Sequence, residues 1–534
     1  MDEEAALQRK KEKRPVRFFN TTDPCNPWDH YMLPPENRLV GAQLHRYIRD
    51  KLYWVLHAPR QTGKTTFLQS WMRKINGGDE ALACYVSVER CQGIAETERA
   101  MPALGDAIRA WAQKAGLVVP SEQGAHPASQ VNALLSDWAK LLAPKPLVVL
   151  FDEVDVLEGE SLISFLRQLR DGFAGRGPGL FPVSIALVGM RDLKDYLTVA
   201  KGGVTPNPGS PFNIREDSVR LSNFEATDMA ALFAQRTEET GQCITEEALA
   251  YVYERSQGQP WMVNSLFKRA TLRVLDEGSR ETVTLAHIMQ AEEQMIQARE
   301  THLDALEVRL QDPKIRRVVE SIIIGNMDPR ISRMNPDVEL AMDLGLLVWT
   351  TETGFIIANP IYADILTRHL NAGYHDNLPP PSSWQWQKAD GSLDMDALLR
   401  EFQRFWRENS EIWEGRSDYT EAFPHLLLTA FLQRVLNGGG RIDREYAAGR
   451  GRMDVYVEYK GNQYIIEVKL VHEKQGLEQV QAKGLEQIEN YRDRKAPDAP
   501  AYLVLFDRRS KAKERPWEER LFWVKADGIM VVGC

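Results

Sequence analysis

Between residues 52 and 220, short apolar runs alternate with longer segments whose apolar positions recur at helical spacing. The runs at 54–57, 83–88, 147–151 and 183–188 are too short for helices and rich in branched or aromatic side chains, so they predict strands. Such alternation predicts an α/β unit whose parallel sheet is covered by helices. From 225 to 298 the pattern is helical throughout, with Met229, Leu232 and Phe233 on one face. Asn223 or Thr227 can cap that stretch, and Thr245 precedes a further helix.

Residues 313–370 form a smaller pattern of helices, a turn at Asp343-Leu344-Gly345, and runs at 348–350 and 354–358 spaced for a hairpin. Helices followed by a two-stranded wing predict a winged helix. Pro379-Pro380-Pro381 cannot continue a helix or a central strand, and they mark a linker. Beyond it the order becomes helix (394–413), helix (421–436), strand (453–459), strand (463–470), helix (476–492), strand (501–506) and strand (521–524), a separate α/β domain. The expected boundaries are an entry segment 1–30, a sheet core 31–222, a helical lid 223–300, a winged helix 301–372, a linker 373–395 and a C-terminal domain 396–534.

Composition narrows the function classes. The 534 residues are 43% hydrophobic and 26% charged, enough apolar material for several cores. A net charge of −9, from 66 basic and 75 acidic residues, excludes a blanket of positive charge but leaves room for a local basic groove. Cys25, Cys84, Cys91, Cys243 and Cys534 include no CxxC pair, which points to a reducing, cytoplasmic setting rather than to disulfides. The ten histidines form no ligand-spaced cluster, so no structural zinc is expected. No apolar run approaches membrane-spanning length, and the charged stretch 1–17 lacks the apolar segment of a signal peptide. Its basic part, Arg9 to Arg17, reads either as a solvated tail or as a nucleic-acid contact.

The first chemistry-bearing segment is Ala58-Pro59-Arg60-Gln61-Thr62-Gly63-Lys64-Thr65-Thr66, placed between a predicted strand and a predicted helix. It fits G-x-x-x-x-G-K-S/T with Ala58 in the first glycine's place. A compact loop at a helix N-terminus surrounds phosphate oxygens with backbone N–H groups. Lys64 can then reach the outer phosphates and Thr65 can ligate Mg2+. The run at 147–151 ends in Asp152-Glu153, where Asp152 can hold the Mg2+ shell and Glu153 can orient an attacking water. Arg191 follows the next predicted strand and reads either as a reader of the γ-phosphate or as a surface arginine.

These features resemble AAA-like P-loop ATPases of the archaeal-type, STAND and Orc-type initiator group, over about residues 17–370. Gly258-Gln259-Pro260 in the lid adds to the resemblance, which implies that this turn packs near the nucleotide and that Tyr31-Met32 lies near adenine. ATP and Mg2+ are the expected cofactors, a homo-oligomer is one expected form, and ATP binding or hydrolysis in this module would control oligomeric state or DNA engagement.

The second segment begins at Gly451-Arg452-Met453-Asp454. A hairpin turning at Lys460-Gly461-Asn462 leads into Ile466-Glu467-Val468-Lys469. Residues two apart on a strand share a face, so Glu467 and Lys469 point together while Ile466 and Val468 turn inward. Asp454 on the neighbouring strand can converge with Glu467 around Mg2+, with Lys469 positioning water or stabilising charge on phosphate. Glu421 can add a carboxylate from the preceding helix, and Gln487 and Tyr491 sit four apart on the following one. This set resembles the PD-(D/E)xK nuclease superfamily and its QxxxY-bearing branch over residues 396–534, with Met453 where a proline is common. The resemblance implies a restriction-endonuclease-like α/β fold with catalytic Asp454, Glu467 and Lys469.

Arg508-Arg509-Ser510-Lys511-Ala512-Lys513-Glu514-Arg515, with Arg441, Arg444, Arg450 and Arg452, reads as a phosphate-tracking surface or as solvated loops. Trp384 and Trp386 can stack on bases or dock on a domain. Together the two resemblances lead to the expectation of an ATPase that cuts DNA with Mg2+, in prokaryotic defence or mobile-element processing. The rival expectation is a nucleotide switch whose C-terminal domain only holds DNA; RNA as the target is a third.

Overall fold

The computed structural model describes residues 16–39, 44–121, 124–190, 215–298, 303, 306, 308–323, 335–351, 354–375, 386, 388, 390–408, 424, 427–429, 431–432, 440–443, 455–471, 475–507 and 509–534. The chain divides into two compact units: one of residues 1–300 with 343–345, the other of 301–342 with 346–534.

The first unit is built on a parallel sheet of β1 (Tyr53–His57), β2 (Leu82–Ser87), β3 (Leu147–Asp152), β4 (Ser184–Gly189) and β5 (Arg215–Arg220), in spatial order β2-β3-β4-β1-β5. Both faces are covered, which is why its central strands read as unbroken apolar runs rather than alternating ones. Val55, Cys84, Val149, Phe151, Ile185 and Leu187 turn to one face and pack with side chains of helices Thr97–Lys114, Pro127–Leu141 and Gly159–Phe173. Trp54, Leu56, Ala83, Val148, Leu150 and Val188 turn to the other, against Tyr47 and helix Lys64–Asn76. β5, Arg-Glu-Asp-Ser-Val-Arg, was not expected from the pattern: it lies at the sheet edge beside β1, where one neighbour suffices and no apolar run is required.

The following helices are Ala226–Thr240, Glu246–Ser256, Pro260–Arg269 and Leu285–Gln297. Thr245 caps the second by accepting from Ala248 N at 3.2 Å. The first is capped by Glu225, not by Asn223 or Thr227: Glu225 and Asp228 form a reciprocal capping box, which a Ser/Thr/Asn-led search overlooks. Gly258 has φ +67°, and a Cβ there would lie 1.8 Å from Phe224 O, so this turn can only be glycine. Phe224 N in turn donates to Gly258 O at 2.8 Å.

In the second unit, helices Pro313–Ile323, Pro336–Asp343 and Pro360–His375 accompany the hairpin β6 (Leu347–Thr350) and β7 (Gly354–Ile357). A mixed sheet follows, made of β8 (Gly440–Asp443), β9 (Val455–Tyr459), β10 (Asn462–Val471), β11 (Ala501–Asp507), β12 (Trp523–Ala526) and β13 (Ile529–Gly533). Its order is β12-β13-β11-β10-β9-β8, with β10 parallel to β11 and antiparallel to β9. β8 and β13 were not anticipated; β13 is split from β12 by a tight Asp527-Gly528 turn with both φ positive. One face packs with helix Met395–Glu408 through Leu398, Phe402 and Phe405, the other with helix Leu477–Lys495 through Ile488 and Tyr491. Trp386 docks on the first of these cores and Asp394 N donates to its carbonyl at 2.7 Å, whereas Trp384 lies outside the described residues. Among the described residues no helix is long and apolar enough to cross a membrane.

The glycine constraint can be measured. Gly258→Ala should destabilise the protein by several kcal/mol in denaturant unfolding, because left-handed strain of about 1–2 kcal/mol adds to a backbone clash. Gly241→Ala, with φ +78° and open space around it, should show about 1 kcal/mol, from strain alone. Equal losses in the two variants would contradict the packing.

Candidate functional site

Ala58 to Gly63 form a compact loop between β1 and helix Lys64–Asn76, at the carboxyl end of a parallel sheet. Gln61 (φ +57°) and Gly63 (φ +89°) turn the backbone into left-handed conformations on either side of Thr62. Thr62 Oγ1 donates to Pro59 O at 2.8 Å and closes the loop, while Arg60 and Gln61 are exposed. Lys64 Nζ donates inward to Ala58 O at 2.8 Å and Pro59 O at 2.9 Å. Burial pushes the Lys64 ammonium down from its usual range, opposed chiefly by Asp152 and Asp155. Phosphate oxygens meet the same need for acceptors that these carbonyls now satisfy.

Thr65 Oγ1 donates to Asp152 Oδ2 at 2.6 Å, joining the loop to the end of β3. Asp152 is 1% exposed, and burial raises its carboxyl above the ordinary value against the opposing pull of Thr65 and Lys64. Glu153, in a left-handed conformation at φ +60°, is raised by burial and by neighbouring Asp152. A hydroxyl and a carboxylate at hydrogen-bond distance form a hard oxygen pair of the kind Mg2+ takes, so the residues fit that ion. Sequence reasoning missed the β2 side chains that hold these acids: Tyr85 OH donates to Asp152 Oδ2 at 3.1 Å and Ser87 Oγ to Glu153 Oε2 at 3.2 Å. Their signal was two polar groups, two positions apart, at the end of an otherwise buried strand. Asp155 was missed as well; its Oδ1 would lie 2.9 Å from a Cβ on Gly189, so the end of β4 must be bare for it.

Thr66 Oγ1 accepts from Cys25 N at 3.0 Å. Tyr31, 1% exposed, packs against Phe19 with ring centroids 4.9 Å apart, and Gln235 bonds both the N–H and the carbonyl of Met32. Tyr31 is therefore a packing residue of the entry segment. Arg191 lies outside the described residues; β4 ends at Gly189.

In the second unit Glu467 is 0% exposed at the middle of β10, and Lys469 Nζ donates to its Oε1. Both belong to the sheet face that also carries Ile465, Leu503 and Leu505, under helix Leu477–Lys495. Ile466 and Val468 do turn inward as expected, but the Glu467 face is covered too. A carboxylate so deep requires a partner charge, and Lys469 supplies it two positions along the strand. Gln487 and Tyr491 lie on the covering helix, and Tyr491 meets Tyr456 of β9 with ring centroids 6.2 Å apart. The helix can lie close because Gly484 faces Leu503; a Cβ at 484 would come within 2.5 Å of Leu503 Cδ1. The structure thus brings Glu467, Lys469, Gln487 and Tyr491 to one side of the sheet. Asp454 and Glu421 lie outside the described residues, among which no three His, Cys, Asp or Glu side chains converge on a metal position. Glu467 supplies the carboxylate chemistry a hard divalent cation requires.

The expected basic surface is partly spent on internal pairs. Arg509 Nη2 meets Asp507 Oδ2 at 2.6 Å, and Arg17 meets Glu239 at 3.2 Å. Lys511 and Arg515 are exposed, Arg441 stands on β8 opposite Glu458, and Arg444, Arg450, Arg452 and Arg508 fall outside the described residues.

The raised carboxyl of Asp152 has a pH consequence. The native state binds this proton more tightly than the unfolded chain, so stability falls as pH rises from the unfolded carboxylate range, about 3.9, through the raised native value. In nucleotide-free protein, Asp152→Asn should therefore melt above wild type at neutral pH, with the gap closing towards pH ~4. A gap independent of pH would contradict the assignment.

Solved structures similar to this chain include a Walker-type ATPase of Pyrococcus abyssi (16% identity, 65% of this chain and 99% of that one, TM-score 0.47). The ORC2 protein of Aeropyrum pernix (13%, 61% and 91%, TM-score 0.35) and the RuvB Holliday junction branch migration motor of Thermotoga maritima (15%, 60% and 90%, TM-score 0.32) are also similar. With scores below 0.5, the weight of the ATPase-type assignment falls on the loop and sheet geometry itself. No curated protein matches the chain. Residues 419–504 match the model of the PD-(D/E)XK nuclease superfamily, a stretch that contains Glu421, Asp454, Glu467, Lys469, Gln487 and Tyr491. The chain thus joins a P-loop ATPase-type core to a C-terminal segment that matches the PD-(D/E)XK nuclease superfamily.

Proposed function

We propose that the chain is an ATP-binding and ATP-hydrolysing protein whose C-terminal domain cleaves DNA phosphodiesters with Mg2+. The observation that carries the reading is the fully buried Glu467 joined to Lys469 on one sheet face, within the superfamily match. Bound by Glu467 and Asp454, and at the other site by Thr65 and Asp152, Mg2+ supplies Lewis acidity that withdraws charge from phosphate and makes water more acidic.

The chain's own groups do the rest. Lys469 stabilises charge on the scissile phosphate, and Gln487 orients the attacking water from the covering helix. In the first unit Lys64 leaves the Ala58 and Pro59 carbonyls for the outer phosphates of ATP, and Glu153, held by Ser87, orients water at the γ-phosphate. Arg191 reads the γ-phosphate. The hairpin β6–β7 with its three helices supports a winged helix that holds the DNA. ATP acts through a homo-oligomer in a reducing, cytoplasmic setting, and the domain combination supports a role in prokaryotic defence or mobile-element processing.

Purified protein with Mg2+ should cleave DNA, and Asp454→Ala or Lys469→Ala should lower the rate by about a hundredfold or more while ATP binding persists. Lys64→Ala should abolish ATP binding and any response of cleavage to ATP. DNA held without cleavage by wild type would favour a non-cutting switch, cleavage of RNA alone would reassign the substrate, and undiminished cutting by both acid and lysine variants would sink the reading.

A further inference from the structure

Arg38 is an arginine 6% exposed, yet the acceptors it reaches are backbone carbonyls rather than carboxylates. Its Nη2 donates to Thr62 O at 2.6 Å, and its Nε donates to Ser222 O at 2.7 Å. Ser222 N and Oγ donate back to Arg38 O at 3.1 and 2.8 Å, so the two residues are tied in both directions. The guanidinium carbon sits 5.0 Å from the centroid of the Phe224 ring. Thr62 belongs to the phosphate loop, whereas Ser222 and Phe224 form the passage from β5 to the helix Ala226–Thr240. A second tie runs alongside: Gln259 Nε2 donates to Gln61 O at 3.4 Å while its Oε1 caps its own helix at Met262 N. Consecutive carbonyls of the loop, Gln61 and Thr62, are thus held by one group of the lid, Gln259, and by one bonded to its hinge, Arg38.

The peptide between Thr62 and Gly63 is planar and trans, so its N–H points opposite to its carbonyl. If Arg38 holds the carbonyl of Thr62, the N–H of Gly63 is fixed in the same plane, pointing the opposite way. Gly63, at φ +89°, suits a bare residue, and a Cβ there would crowd Arg38 Nη1 at 3.3 Å. Burial pushes the Arg38 guanidinium down to about 10, with Asp228 opposing, so the group stays charged at neutral pH. A guanidinium can span two carbonyls at fixed angles; an ammonium is a point charge and cannot.

We propose that Arg38 is a positioning residue of the nucleotide site, which fixes the Thr62–Gly63 peptide for phosphate and couples that peptide to the core–lid junction at Ser222. The inference rests on the reading of the loop as an ATP site. Phosphate pulling on the Gly63 N–H polarises the peptide and strengthens its carbonyl as an acceptor for Arg38. The strengthened bond draws Ser222 with it, so the junction is firmer when nucleotide is bound.

The test uses the full chain, with ADP and ATP binding measured by calorimetry and amide exchange followed at Ser222 and Phe224. In wild type, saturating ADP should slow exchange at both amides. Arg38→Met should weaken ATP binding by about tenfold or more, and saturating ADP should no longer protect Ser222 and Phe224. Should Arg38→Met fail to fold, Arg38→Lys takes its place, with binding weakened by about threefold and the same protection lost. An affinity equal to wild type, or ADP-dependent protection that survives the substitution, overturns the proposal. Failure of wild type itself to bind nucleotide in a Lys64-dependent way would instead remove the ATP reading on which it rests.

Discussion

Charge taken out of water must be met by fixed charge or dipole nearby, and this constraint shapes both units. In the first, the partly buried Lys64 ammonium rests on the carbonyls of Ala58 and Pro59, with Asp152 and Asp155 opposing its loss of charge. In the second, the Glu467 carboxylate has no exposed surface and is met by Lys469. Each arrangement uses groups that a phosphate or a cation would also satisfy.

Sheet geometry makes this possible. A parallel sheet covered on both faces sends its side chains into two cores and leaves only strand ends for chemistry, so the loop after β1 and the acids at the end of β3 meet at the carboxyl end of the sheet. The β10 strand breaks that rule by carrying Glu467 and Lys469 on a covered face. The break is tolerated because the two charges are two residues apart and because Gly484 lets the covering helix lie close to Leu503. Glycine serves a similar end at Gly258, where the lid turn passes within contact of the Phe224 carbonyl.

Much of this was legible in the sequence. The central strands, the phosphate loop, Asp152-Glu153 and the Glu467-x-Lys469 strand each follow from short-range pattern, and all take the expected places in the described elements. What escaped was set by neighbours distant in the chain. β5 gains its strand conformation from β1 alone, and Glu225 caps a helix where a serine, threonine or asparagine was sought. Tyr85, Ser87 and Arg38 reach the nucleotide loop or its acids across gaps of 24 to 67 residues, which no local window connects. The burial of the Glu467 face depends on a helix that follows later in the chain, so alternation along β10 could not reveal it.

The central claim is that Glu467 anchors a divalent-ion site distinct from the triphosphate site around Lys64 and Asp152. The most direct measurement is Mn2+ binding followed by electron paramagnetic resonance, without nucleotide and in an Asp152→Asn background that silences the first site. The account predicts a bound Mn2+ signal that Lys64→Ala leaves intact and Glu467→Gln removes. A signal undiminished by Glu467→Gln, or no bound Mn2+ at all in that background, would contradict it.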